Sequence, residues 1–231
     1  LIQVPIQSKN YFKYFKPFLL YKVYVPTFNV NTNKIMKTKI LSIGMAVLIM
    51  AAAFTILQKE VKVDTNSSQI AWVGKKVTGQ HNGTVNIKEG ALEMEDGQVT
   101  GGSFVIDMTT IDVLDLEGEY KGKLMGHLRS DDFFSVEDHP TAKFIITSID
   151  KSEATDATHF VAGDLTIKGI TNKITFPANV TIQDGKANAK ASFALDRTKW
   201  QVKYGSGSFF DGLGDKMIYD DFELTVNLSS L

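Results

Sequence analysis

From Val61 to the C-terminus apolar residues recur at every second position, and this alternation limits the chain to strands with one apolar face and one wet face. Phe222, Leu224, Val226 and Leu228 alternate with Glu223, Thr225 and Asn227. Leu165 and Ile167 flank Thr166, and Ile174 and Phe176 flank Thr175. Ala187, Ala189, Ala191, Phe193 and Leu195 alternate with Asn188, Lys190, Ser192 and Ala194. Ile70 with Trp72 and Phe104 with Ile106 repeat the pattern. Asn82-Gly83, Asp96-Gly97, Lys168-Gly169 and Asp184-Gly185 supply turn signals between such runs; residues of these types accept the positive φ angles of tight hairpins. About eight short strands joined in this way predict an all-β antiparallel sandwich or closed barrel.

One segment departs from period two. From Val113 the apolar positions Leu116, Tyr120, Leu124 and Leu128 are spaced by three or four, as on one face of a helix. A single helix in an all-β chain has its economical place across one end of the barrel. Strand parity then predicts an inward set of Trp72, Phe104, Ile106, Phe144, Leu165, Ile167, Phe176, Ala189, Ala191 and Phe193, with Leu124 and Leu128 closing one end. The interior of an eight-stranded barrel is just wide enough for side chains to fill or for one small ligand. Inward alanines leave volume that either large neighbours or a guest must occupy. Alternation alone leaves a filled core and a real cavity both open.

Charge divides the chain. Seven of the 25 basic residues precede Phe54 and none of the 26 acidic residues does, so the remainder carries a net charge of −8. An acidic body argues against nucleic acid as a partner, because phosphate binding needs a basic surface. The basic leader includes Met36-Lys37-Thr38-Lys39, an apolar run from Ile40 to Leu57, and Ala51-Ala52-Ala53. Charged start, apolar middle and small-residue site predict a secretory signal peptide over 36–57, with the mature chain beginning near Phe54. A retained membrane anchor is the alternative. Residues 1–35 read as an upstream extension outside the native fold. The chain has no cysteine, which excludes disulfides, thiolate metal sites and a cysteine nucleophile.

The segment Gly126-His127-Leu128-Arg129-Ser130-Asp131-Asp132-Phe133-Phe134 is followed by His139-Pro140-Thr141-Ala142-Lys143-Phe144, by Gly163-Asp164-Leu165-Thr166-Ile167-Lys168-Gly169-Ile170-Thr171, and by Asp196-Arg197-Thr198. This ordered series resembles that of the YceI-like family, and the resemblance covers 61–231. It implies a lipocalin-like antiparallel barrel with a helical insertion. It also implies an exported bacterial protein, periplasmic or secreted, that holds a polyisoprenoid-type chain inside the barrel with no established catalytic activity. The inward set named above then becomes the expected ligand-binding set. Two positions depart from the family pattern: Leu124-Met125 where many members carry Arg-Asp, and Lys75-Lys76 where many carry a histidine. If those groups meet a ligand's polar end, head-group preference differs here.

His127 reads either as a polar group at the barrel mouth that meets a head group, or as a histidine of a last helical turn bonding free carbonyls. Ser130 and Asp131 read as turn caps. No histidine pair has metal-site spacing, so no metal and no cofactor are expected. The neighbours Asp131-Asp132 and Asp220-Asp221 do not converge on one substrate if they lie on strands. Gly205-Ser206-Gly207-Ser208 lacks the ending of a phosphate loop and reads as an inter-strand loop or lid, with Trp200 and Tyr204 beside it as seals or plain core. The leading expectation is a carrier or scavenger of a long isoprenoid or lipid-like chain. The alternatives are a lipid-modifying enzyme with His127 as general base, and a structural or stress protein with a filled barrel. Membrane contact is expected only through the signal segment, and a homodimer is left open.

Overall fold

The computed structural model describes residues 59–231. The signal-peptide reading of 36–57 and the extension reading of 1–35 lie outside the described residues. Among the described residues nine strands and one α-helix follow in the order β1 Lys59–Lys62, β2 Gln69–Lys76, β3 Gly79–Glu95, β4 Gln98–Val113, α1 Gly118–Arg129, β5 Thr141–Lys151, β6 His159–Ile167, β7 Ile170–Gln183, β8 Lys186–Asp196 and β9 Ile218–Ser229. Each strand pairs antiparallel with the next from β2 to β9, and β9 pairs back onto β2, closing the ring. β1 runs along the edge of β3 that β2 also uses: Lys62 stands opposite Ala91, and Ile70 opposite Val85. β1 and β2 are therefore one stave interrupted by a loop, and the architecture is an eight-stave up-and-down barrel. Closure leaves no sheet edge open to pairing.

Three of the four expected turn signals make turns. Asp96-Gly97, Lys168-Gly169 and Asp184-Gly185 join β3–β4, β6–β7 and β7–β8, with both residues of each pair at positive φ, as a type I′ hairpin requires. Asn82-Gly83 instead lies inside β3, and the β2–β3 turn falls at Val77-Thr78. Gly83 is needed for a different reason. A Cβ there would stand 1.8 Å from the Asp112 carbonyl oxygen and 2.5 Å from the Trp72 ring.

Helix α1 connects β4 to β5 and lies at one end of the barrel, called here the helix end. Ser130 closes it, its hydroxyl and backbone N–H both donating to the His127 carbonyl. Arg129 reaches back to the Thr109 and Ile111 carbonyls of β4 and fastens the helix there. Leu128 is buried, and Leu124 with Met125 packs against the core. Tyr120 is not part of that stripe: it is 74% exposed.

Two long strands change parity midway. β3 presents Val85 and Ile87 inward, then Leu92 and Met94, after a register shift between Ile87 and Glu89. β4 presents Phe104, Ile106 and Met108 inward, then Ile111 and Val113. Here Asp107, Thr109 and Thr110 form the irregularity: Thr109 N–H donates to the Asp107 carboxylate, and Asn86 N–H to the Thr110 hydroxyl. Bulges of this kind bend long strands enough to close a small barrel.

Candidate ligand cavity

The inward faces of the staves do not meet at the centre. They enclose a cavity of about 250 Å³, which extends from Leu92, Val99 and Val180 to Ile111, Leu128 and Phe133 at the helix end. Apolar side chains make up nearly all of its wall, and the charged residues Arg197 and Asp221 adjoin it only at the helix end. A cavity this apolar has no groups to hold water in place. At about 10–15 Å³ per water-sized group it has room for about twenty non-hydrogen atoms of a chain.

Glycines keep the aromatic wall flat. A Cβ at Gly83 would strike the Trp72 ring, one at Gly90 would lie 2.8 Å from the Phe104 ring, and one at Gly163 would lie 2.5 Å from the Phe144 ring. Each ring occupies the space over a glycine on the adjoining stave instead of projecting across the lumen. Phe104, Phe144, Phe176 and Phe193 continue as a belt: Phe104 and Phe144 stack at 6.3 Å, Phe144 and Phe176 meet at 5.6 Å, and Phe176 and Phe193 stack at 4.1 Å with planes 10° apart. Beside this belt Ala178 and Ala191 are paired across β7 and β8, and Ala189 opposes Val180. The alanines supply free volume because their side chains end at Cβ, with Phe176 and Phe193 packed beside Ala178 and Ala191.

The expected set can now be placed. Trp72, Phe104, Ile106, Leu128, Phe144, Leu165, Ile167, Phe176, Ala189, Ala191 and Phe193 all line the cavity. Leu124 packs against the core and His127 against Phe133, and neither is part of the wall. The His127 ring packs edge-on against Phe133 at 5.3 Å and Tyr204 at 4.3 Å. Its Nε2 is buried without a hydrogen-bond partner among the described residues, so the ring bonds no free carbonyl through that atom. Burial lowers its pKa from the ordinary 6.5; Asp132 opposes this, and Arg197 adds to it. Burial therefore favours the neutral ring.

Trp200 is core: it is 1% exposed, and its indole N–H donates to the Leu165 carbonyl at 3.0 Å. Tyr204 remains half-exposed on the far side of His127. Lys75, one of the two departures from the family pattern, forms an ion pair with Glu223, both half-exposed. Its neighbour Gly74 is the residue that faces the lumen, so Lys75 points away from any ligand in the barrel.

Parity could have identified more of the wall. Ile70, Ile174, Ala187, Phe222, Leu224, Val226 and Leu228 all line it and share the alternation already read. Met108 shares the parity of Phe104 and Ile106, whereas Leu92 and Ile111 were hidden by the parity changes. Arg197 had no assigned role. It is 3% exposed and donates to the carbonyls of Tyr219, Val202 and Ile218, with Asp220 at 3.5 Å and the Phe133 ring 5.7 Å away. Burial works against the charge of Asp220, but hydrogen bonds from Ser206 and Ser208 and the Arg197 charge outweigh it and hold the carboxyl below its usual range. With its charge neutralised and most of its donors taken, Arg197 ties the β8–β9 connection to the barrel end.

Comparison with known proteins fits this arrangement. The model of the YceI-like domain matches residues 61–230. A UPF0312 protein of Pseudomonas putida strain F1 is 31% identical over 142 residues, spanning 60% of this chain and 69% of that protein. A UPF0312 protein of Shewanella denitrificans is 30% identical over 104 residues, 45% of this chain and 51% of that protein. Among solved structures, Burkholderia cenocepacia BcnA superposes with a TM-score of 0.56 at 19% identity, covering 73% of this chain and 99% of that one. A polyisoprenoid binding domain from Saccharophagus degradans, implicated in plant cell wall breakdown, gives 0.51 at 13% identity, covering 73% and 96%. At those identities the structural likeness is one of fold. Motif series, closed barrel and family match agree, and the chain belongs to the YceI-like domain family.

Proposed function

We propose that this protein binds a long apolar chain, of polyisoprenoid type, along the barrel axis, and serves as an exported carrier or scavenger of that chain and not as an enzyme. The observation that carries the reading is the cavity: about 250 Å³ bounded almost wholly by apolar side chains and lined by residues of every stave from β2 to β9. Unfilled core volume forfeits packing energy, so a barrel built only for stability would be expected to fill this space. The Saccharophagus degradans domain of the same fold is described as polyisoprenoid binding, which supports a chain of that class here.

The driving force is apolar burial. About twenty methylene-sized groups at about 0.8 kcal/mol each offer ~16 kcal/mol before association costs. Those costs are ~4–15 kcal/mol, which leaves binding weak to tight according to how well the chain fills the wall. Export rests on the leader over 36–57, and the ligand-contact role rests on the wall residues from Trp72 to Phe193 named above, with His127 packed against Phe133. The test is titration of the purified barrel with polyprenols of ten, twenty and forty carbons, followed by quenching of tryptophan fluorescence from Trp72. Affinity should rise steeply to about twenty carbons and then level off. Equal and negligible quenching by all three would overturn the reading.

A further inference from the structure

The barrel's exposed apolar side chains are concentrated at the helix end. Tyr204, Phe209, Phe210 and Tyr219 are 48%, 48%, 51% and 47% exposed, and Leu114 just after β4 and Tyr120 in the first turn of α1 are more so. Elsewhere on the described surface the large exposed apolar residues are single ones on separate elements: Ile145, Phe160, Ile182 and the C-terminal Leu231. Scattered single residues need no explanation, whereas a cluster at one end does.

The cluster is held out by a built turn. Ser206 is fully buried, its carbonyl accepts from the N–H groups of both Phe209 and Phe210, and its hydroxyl accepts from Ser208 N–H. The Ser208 hydroxyl in turn donates to Asp220, and Ile218 N–H to the Gly205 carbonyl. The two phenylalanines are thus fixed facing solvent. Lys203 lies 4.5 Å over the Phe209 ring and Lys123 lies 5.9 Å over that of Tyr120. Aromatic rings with a lysine ammonium above them suit a membrane–water interface, where the ring enters the headgroup layer and the charge stays wet. The patch is continuous with the cavity through Ile218 and Tyr219, which line the lumen.

We propose that the helix end docks on the surface of a lipid bilayer through the rings of 204–219, and that the apolar chain passes there between bilayer and barrel. The direction of transfer rests on the binding function proposed above; the docking does not. A long apolar chain is nearly insoluble, so direct exchange with a bilayer avoids a step through water. Because the protein from Phe54 onward carries a net charge of −8, docking must come from ring insertion and not from attraction to anionic lipid. This surface is additional to the apolar run at 40–57, from which membrane contact was expected.

The test is flotation of the mature protein with vesicles of phosphatidylcholine, and with vesicles containing phosphatidylglycerol, at low and high salt. The expected result is binding to phosphatidylcholine that salt does not weaken, with lower binding to the anionic vesicles at low salt. A F209S/F210S variant should lose at least tenfold in vesicle partitioning while its affinity for a detergent-solubilised polyprenol is unchanged. Wild-type protein that does not float, or a double variant that floats equally, overturns the docking. So does a wild-type dimer in solution that the double variant converts to monomer, since the patch would then be a contact between two copies. Wild type that floats but binds no polyprenol in detergent leaves the docking standing and removes the binding function instead.

Discussion

Replacing Ala191 by phenylalanine probes the cavity from within. Ala191 lines the lumen between β7 and β9, opposite Ala178 and Val226. The substitution adds six carbon atoms, which at about 10–15 Å³ each take about 60–90 Å³, roughly a third of the 250 Å³ present. A twenty-carbon chain then loses the burial of about six groups, a gross loss of ~5 kcal/mol at about 0.8 kcal/mol each. Rerouting of the chain returns part of this, so we expect its affinity to fall at least ~30-fold, while a ten-carbon prenol is nearly unaffected. The protein itself should stay folded. Filling existing space is worth up to ~2 kcal/mol at ~24 cal/mol per Å³, and crowding against Val161, Phe176 and Phe193 costs about 1–3 kcal/mol. Ala189→Phe, one inward position along β8, should behave alike and guards against a local clash. Polyprenol titration of both variants, with urea unfolding alongside, is the assay. Unchanged affinity for the twenty-carbon chain in two folded variants would refute the reasoning, as would unfolding of both, since that would show an interior already full.

The pKa of His127 is lowered on folding, so the unfolded chain binds its proton first as pH falls. The stability this histidine contributes is complete above about 6.5 and is lost as pH drops from there through its lower folded value. His127→Asn should flatten the fall in urea midpoint between pH 7 and pH 5; an unchanged slope would show that the ring is not held neutral by burial. Arg197→Met leaves Asp220 without its countercharge and the carbonyls of Val202, Ile218 and Tyr219 without donors, and should cost ~3–5 kcal/mol in urea unfolding. Gly163→Ala puts a methyl 2.5 Å from both the Ile145 carbonyl and the Phe144 ring. It should cost about 1–3 kcal/mol, and Phe144 should swing into the lumen and weaken polyprenol binding in titration.

The barrel was legible because the lumen-facing and solvent-facing positions of β7, β8 and β9 from Phe222 onward alternate. β3 and β4 were less so. Their irregularities at Lys88-Glu89 and Asp107–Thr110 exchange the two faces, and a one-residue slip moves every later side chain to the other side. Asn82-Gly83 resembled a hairpin because the same glycine that permits a turn also permits the close approach of Trp72 and Asp112. The wall residues on β5 to β8 followed from parity, whereas the packing of His127 against Phe133 could not, since α1 is positioned by tertiary contacts with β4. That the interior is open depends on where rings lie, and ring placement over Gly83, Gly90 and Gly163 is a cross-strand property that no single run of residues carries. The buried network of Arg197 likewise joins carbonyls of Val202, Ile218 and Tyr219, which are brought together only when the barrel closes.

The most direct measurement is native mass spectrometry of the protein isolated from the cells that make it, before and after organic extraction. The barrel should carry one noncovalent apolar guest with about twenty non-hydrogen atoms buried, recovered in the extract as a prenyl-type or similar lipid chain. After extraction it should take up a twenty-carbon polyprenol one to one. A protein that arrives empty, and stays empty when offered that chain, would contradict the account.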